Sequence, residues 1–242
     1  MDLSIVVPVY NESENIDPLL SELDGVLADE LDYEVIFVDD GSTDNTFQLL
    51  SGLTSQYPRL RVLRHPQNLG QSAALLTGVR AAQADWVASL DGDGQNDPAD
   101  LLQFWRLAKT AHQPAGLYIG HRREREDATT RLFSSRIANE VRARLLRDGT
   151  PDADCGIKLF KRHVFLALPY FDRMHRFLPA LIKREGRAVW SLPVTHRPRV
   201  FGESKDDVRN RFWTGIFDLF GVMWLLRRRR LPPRHQELPS SR

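Results

Sequence analysis

Cysteine is almost missing from this chain: Cys155 stands alone among 242 residues, so no intramolecular disulfide can form. Missing too is a basic, cleavable leader, since the chain opens MDLSIVVPVY. These two gaps predict a reducing, cytoplasmic setting and exclude a disulfide-stapled miniprotein. Glycine and proline are not enriched, at 15 and 14 residues, against 42% hydrophobic and 27% charged residues. That balance excludes a collagen-like rod or a disordered tail and suits one domain with a full core. No glycine-rich phosphate loop follows the first apolar run, where VPVYNESEN stands, and this disfavours a nucleotidyltransferase.

Basic residues are scarce in one half only. Residues 1–100 hold 4 basic and 18 acidic side chains (net −14), which leaves 29 and 14 (net +15) for residues 101–242, within an overall charge of +1. The first half is suited to cations and sugar hydroxyls, the second to anions.

Short β-branched runs at Leu3–Val9, Tyr33–Asp39, Arg61–Arg64 and Trp86–Leu90 read as strands. Between them, Ser13–Glu30, Thr43–Gln56 and Leu69–Ala84 carry apolar residues at helical spacing. This βαβαβαβ order predicts an α/β fold, a Rossmann-like, mostly parallel sheet flanked by helices. Further on, helices are expected at Pro98–Ala111, Thr129–Arg147 and Arg176–Glu185, and strands near Leu117–Gly120, Gly156–Phe160 and Val189–Thr195. Ligands of such sheets lie beyond the carboxyl ends of the strands. There the sequence places Tyr10-Asn11-Glu12, Asp39-Asp40-Gly41-Ser42 and Asp91-Gly92-Asp93.

Asp91-Gly92-Asp93-Gly94-Gln95 is the most specific of these, two carboxylates two residues apart after an apolar strand. Hard oxygen ligands so placed suit a divalent cation that bridges phosphates, Mg²⁺ or Mn²⁺. Asp97 and Pro98 read as a helix cap and first turn. Ser42 or Thr43 reads as the cap of the second helix, with Asp44 complementing its dipole. Asp39 and Asp40 are not needed for that cap and are candidates for holding a base or ribose.

Five ordered motifs, VPVYNE (7–12), VDDGSTDNT (38–46), NLGQSAAL (68–75), DGDGQNDP (91–98) and RVFGESK (199–205), together resemble the family 2 inverting glycosyltransferases. The resemblance is greatest to the branch of dolichol-phosphate mannose synthase and the bacterial polyprenyl-phosphate glycosyltransferases. It implies an A-type glycosyltransferase fold and metal-dependent transfer of a hexose from a UDP- or GDP-sugar, with inversion. Pro8, Tyr10, Glu12 and Asp39 match positions that hold the nucleotide, and Asp40 and Arg122 are added to that set. Asp91, Asp93 and Gln95 match those that meet the metal. Arg131 and Ser135 match an arginine/serine pair for the acceptor phosphate, and Arg199, Ser204 and Lys205 form a second phosphate clamp. Asp152 matches the acceptor-side aspartate, with a second carboxylate at Asp154, and which of them acts as a base is left open. Asp91, Asp93, Asp152, Asp154 and Arg131 are therefore the catalytic candidates. A phosphate monoester acceptor, with a second pKa of about 6, would need little help from a base, whereas a saccharide or glycolipid hydroxyl must lose a proton.

Residues 1–211 are read as the transferase domain and 212–242 as an apolar helix with an arginine-rich tail. Phe212–Leu226 is apolar on two helical faces and meets Arg227–Arg230. Fifteen helical residues reach only about 22 Å, short of a roughly 30 Å hydrocarbon core. A helix packed on the domain, a homodimer contact through 212–226, and an interfacial helix on anionic lipid are the three readings. The interfacial one predicts a peripheral protein at the inner face of the membrane. Four adjacent arginines without a recognition motif do not make a nucleic-acid site.

Overall fold

The structure is a computed structural model, described here for residues 1–112, 115–122, 142–199 and 208–228. Arg131, Ser135, Ser204, Lys205 and most of the basic helix expected over 129–147 lie outside those residues.

Strands β1 (Leu3–Val9), β2 (Tyr33–Asp39), β3 (Leu60–Arg64), β4 (Trp86–Ser89), β5 (Leu117–Arg122), β6 (Lys158–Lys161) and β7 (Val189–Val194) form one sheet, in the order β3-β2-β1-β4-β6-β5-β7. β6 pairs antiparallel to β4 and to β5, while the other pairings are parallel. β1, β2 and β4 are buried almost throughout, which is why their sequences are continuous apolar runs rather than alternating ones. The helices are α1 (Ser13–Leu27), α2 (Thr46–Leu53), α3 (Gln71–Ala81), α4 (Pro98–Thr110), α5 (Arg162–Leu166), α6 (Leu178–Arg184) and α7 (Val208–Arg227).

The strand order turns around at β1, with β2 and β3 on one side and β4 on the other. Such a reversal opens a crevice at the carboxyl ends of β1 and β4. Pairing of β1 with β4 stops at Val6↔Ser89, so Pro8, which has no N–H to give, lies beyond that ladder. Asp97 caps α4 as expected, accepting from the Ala99 N–H at 2.9 Å, with Pro98 in the first turn.

Two helix starts differ from expectation. The cap place of α2 falls to Asn45, which makes no side-chain cap hydrogen bond, and not to Ser42 or Thr43. Ser42 Oγ accepts from the Asn11 N–H at 2.8 Å and is thus drawn across to the β1 loop, while Asp44 takes the Thr46 N–H at 2.9 Å and supports the first turn of α2 as expected. The helix expected from Arg176 begins as a 3₁₀ turn at Met174–Phe177 and becomes α-helical only at Leu178. Pro179 dictates this, because proline fits an α-helix only in its first turn. α7 starts four residues before 212 and packs on the core through Val222, with Leu219, Met223, Leu225 and Leu226 alongside.

Candidate active site

Three loops at the carboxyl ends of β1, β2 and β4 are tied together by short polar side chains. Asn11 sits at φ 53°, a left-handed conformation that asparagine tolerates better than most residues. From there its side-chain oxygen accepts the Thr43 N–H at 2.8 Å, and the Glu12 N–H reaches Thr46 Oγ1 at 3.0 Å. Asp39 is fully buried. Its Oδ1 accepts the Ser42 N–H at 3.0 Å and its Oδ2 lies 3.2 Å from Arg64 Nε. Asp40 faces inward as well: it accepts the N–H groups of Leu69 and Gly70 at 2.9 and 2.8 Å and contacts His65 Nδ1 at 2.7 Å. The carboxylate of Asp40 thus shapes the loop that leads into α3. Gly41, at φ 73°, passes so close to Gln67 that a Cβ would lie 2.4 Å from its carbonyl carbon.

That loop delivers Gln71 to the crevice, where its Nε2 donates to Asp91 Oδ1 at 2.9 Å. The other oxygen of Asp91 rests on Gly156, where an added Cβ would meet Oδ2 at 2.2 Å. Burial, and then repulsion from Asp93, push the Asp91 carboxyl up to about 6 against the opposing pull of Lys158, Arg122 and Gln71. Asp93 Oδ2 lies 2.9 Å from Arg199 Nη2, and the same guanidinium nitrogen stands 3.6 Å from Glu12 Oε1. Gln95 points elsewhere: its side-chain amide donates to the Arg197 carbonyl at 3.1 Å and faces His196 Nε2 at 3.4 Å.

In the segment before β6, Asp152 and Asp154 are both held by arginine. Arg122 donates to Asp152 through Nε and Nη2 at 2.6 and 2.9 Å. Arg176 grips Asp154 in the same two-pronged way, at 2.9 Å for each bond. Burial alone would raise the Asp154 carboxyl, but Arg176, His175 and Lys158 outweigh it and hold it below the usual carboxylate range. His175 is pushed down to about 3 by burial and by the Lys158 charge, and its Nδ1 faces Ser72 Oγ at 2.8 Å. Burial lifts the Cys155 thiol to about 11, which fits an inert small hydrophobe.

The structure therefore brings Glu12, Asp91, Asp93 and Arg199 together, and Arg122, which pairs with Asp152, stands within electrostatic reach of Asp91. Pro8 and Tyr10 are half-buried at the end of β1. Sequence reasoning passed over four residues that arrange this site: Asn11, Gln71, Gly156 and Lys158. Asn11 and Gln71 stand inside quoted motifs, and Gly156 and Lys158 in the segment from Asp152 that resembles the acceptor side of the family, but none of the four was given a role of its own. Among the described residues no three His, Cys, Asp or Glu side chains are grouped to hold a metal. The repelling pair Asp91 and Asp93 fits a hard divalent cation whose remaining ligands are donor phosphate oxygens.

A sequence model of the family described as Glycosyl transferase family 2 matches residues 4–168. The dodecaprenyl-phosphate galacturonate synthase of Rhizobium johnstonii is 30% identical over 237 residues, covering 96% of this chain and 69% of that protein. The undecaprenyl-phosphate 4-deoxy-4-formamido-L-arabinose transferase of Yersinia enterocolitica is 31% identical over 207 residues, covering 84% of this chain and 62% of its own length. The chain thus spans about two thirds of these relatives. Among solved structures, glucosyl-3-phosphoglycerate synthase from Mycobacterium tuberculosis, in complex with Mn²⁺, UDP and glucosyl-3-phosphoglycerate, aligns with a TM-score of 0.71 at 16% identity, over 93% of this chain and 79% of that one. A mannosyltransferase from Pyrobaculum calidifontis, in complex with GDP-mannose and Mn²⁺, aligns at 0.67 and 22% identity, over 96% and 66%. These two establish the A-type glycosyltransferase fold. With the crevice at the β1/β4 reversal and the matched family model, the chain belongs to glycosyltransferase family 2.

Proposed function

We propose that the protein transfers a sugar, a hexose or a close relative of one, from a UDP- or GDP-sugar to a polyprenyl phosphate. The observation that carries this reading is the pairing of both acceptor-side carboxylates with arginine. A general base needs a free carboxylate with some affinity for a proton, and Asp154 is held below the usual range. A phosphate monoester, already largely ionised at neutral pH, needs no such base. The relatives named for dodecaprenyl- and undecaprenyl-phosphate products support the same acceptor class.

In this reading Asp91 and Asp93 hold Mg²⁺ or Mn²⁺, which neutralises the charge that develops on the diphosphate leaving group. Both structural relatives were solved with Mn²⁺. Glu12, Asp39, Pro8 and Tyr10 line the nucleotide side, and Asp40 keeps the loop before α3 in place. Asp152 and Asp154 orient Arg122 and Arg176 toward the anionic acceptor. The acceptor oxygen then displaces the diphosphate from the opposite face of the anomeric carbon. Arg131, Ser135, Ser204 and Lys205 complete the phosphate contacts.

A polyprenyl tail remains in the bilayer, so the enzyme must meet the membrane surface. No helix among the described residues is long and apolar enough to cross a membrane. α7 instead turns Phe217, Phe220 and Trp224 outward, at 73%, 63% and 60% exposure, with Arg227 and Arg228 at its end. Aromatic side chains beside arginines are suited to the headgroup boundary.

The test is a donor-by-acceptor assay with labelled UDP- and GDP-sugars, Mn²⁺ or Mg²⁺, and a short-chain polyprenyl phosphate. Metal-dependent label in the organic phase is expected. Label reaching only a saccharide or glycolipid hydroxyl would overturn the acceptor and restore a base role for Asp152 or Asp154.

A further inference from the structure

The segment after β7 is stitched to the acidic loop after β4 on both edges. Asn96 and His196 form an antiparallel bridge, the Arg197 N–H donates to the Gln95 carbonyl at 3.0 Å, and Gln95 Nε2 returns a bond to the Arg197 carbonyl at 3.1 Å. The Arg197 side chain braces the same join, 2.7 Å from Glu22 Oε1 and 2.8 Å from Asp97 Oδ2. Two residues further on, this rigid join presents Arg199 to Asp93 and Glu12, at 2.9 and 3.6 Å. The guanidinium uses Asp93 Oδ2, on the same short side chain that a divalent cation would need, and links it to a carboxylate on the nucleotide side.

We infer that Arg199 is the built-in competitor of the divalent cation for Asp93, and that cation binding transfers its guanidinium from this carboxylate to the donor phosphates. The inference rests on the cation reading of Asp91 and Asp93 above. A doubly charged ion outcompetes one shared guanidinium, and the join at 95–97 and 196–197 keeps the released side chain beside the crevice. There the nearest new anion is the diphosphate that accompanies the cation, for which arginine's planar fork is well matched. The consequence is an order of events: donor and cation first, then an acceptor side that has gained a phosphate-bound arginine at the start of the RVFGESK segment.

The test measures Mn²⁺ alone, by the electron paramagnetic resonance signal of the free ion, on the full chain without turnover. Arg199→Gln should bind Mn²⁺ about fivefold tighter than the parent protein, as the loss of a partly exposed ion pair predicts. Arg199→Lys should fall between the two, and provides a second measure should the glutamine variant fold poorly. Arg106→Gln, which removes an equal charge from an exposed pair with Glu30 outside the join and leaves the Arg199–Asp93 contact in place, should bind Mn²⁺ as the parent does. With UDP or GDP added, the order should invert, with Arg199→Gln holding the Mn²⁺–nucleotide pair more weakly. Unchanged or weaker Mn²⁺ binding by Arg199→Gln, or equal tightening in Arg106→Gln, would overturn the competition while leaving the cation site intact. Should the parent and Asp93→Asn bind Mn²⁺ equally poorly even with nucleotide, the competition and the cation reading fall together.

Discussion

Asp91, in the turn after β4, and Asp154, in the segment before β6, are handled in opposite ways. On the donor side, Asp91 receives a neutral amide from Gln71, and burial with repulsion from Asp93 lifts its carboxyl to about 6. On the acceptor side, Asp154 receives both prongs of Arg176 and is held well below the usual range. A carboxylate raised in this way seeks a cation, while one bracketed by arginine serves as scaffolding and leaves its arginine oriented. The division follows the segregation of charge along the chain, −14 in the first hundred residues and +15 in the rest. Residue type alone does not assign a role at this site; the partner does.

The contrast breaks most severely on the donor side. Asp93→Ala or Asp91→Asn should lower metal-dependent transfer by at least about 10³-fold, since the developing diphosphate charge loses its counter-ion. Transfer retained within tenfold across an Mn²⁺ titration would refute the metal assignment.

Gly156→Ala tests how closely Asp91 must be placed. Its Cβ would stand 2.2 Å from Asp91 Oδ2, and a displacement of about 1 Å at a reacting centre costs roughly 100-fold. A matching fall in kcat/KM is expected, whereas Gly25→Ala, with nothing within 4 Å of its added Cβ, should leave kcat/KM unchanged.

The acceptor side should be milder. Asp154→Asn and Asp152→Asn are each expected to keep transfer within about tenfold and to leave the pH–rate profile without a new limb. Loss of a true general base would cost about 10²–10⁴-fold. Such a loss in either variant, with the limb abolished, would erase the distinction between the two sides.

Acidity sharpens the comparison. Because Asp91 titrates near 6, protons compete with the cation below that pH. Mn²⁺ affinity should be level above pH 7 and fall by about tenfold for each unit below 6. Isothermal titration across pH 5–8 reads this directly, and a flat profile would contradict the raised carboxyl.

The smallest effect is expected at α7. Replacing Phe217, Phe220 and Trp224 by serine should weaken partitioning onto anionic vesicles by about tenfold without altering transfer to a water-soluble short-chain acceptor. Sedimentation with vesicles measures it, and unchanged binding by a chain lacking 212–242 would dismiss the interfacial reading.

The sequence was explicit wherever one local pattern decided the outcome. β1 and β2 begin and end where their mainly apolar runs do, because strands buried on both faces admit polar residues only when paired, as Ser4 is with Glu34. The Asp97-Pro98 helix start is equally local, and so is the pairing of Asp91 with Asp93 on one turn. What escaped it depends on neighbours far along the chain. Ser42 could have capped α2, but Asn11, 31 residues away, claims its hydroxyl. Asp40, read from the sequence as a candidate for holding a base or ribose, is turned inward by the backbone of residues 69 and 70 and by His65. Gln95 belongs to the acidic motif, yet its amide is spent on Arg197, 102 positions later.

By itself, then, the sequence determined the succession of strands and helices in the first hundred residues and the acidic turn after the fourth strand, since each follows from nearest-neighbour sterics and burial periodicity, whereas the spatial strand order with its antiparallel β6 came from the tertiary structure. Tertiary structure alone decided that Asp91 receives a neutral amide while Asp152 and Asp154 are locked by arginine. It also decided that Arg199 reaches Asp93 from 106 residues away and that Gly156 must lack a side chain. Electrostatic partnership and close contact act through space over a few ångströms, and the chain brings distant residues within that range only when the sheet has formed.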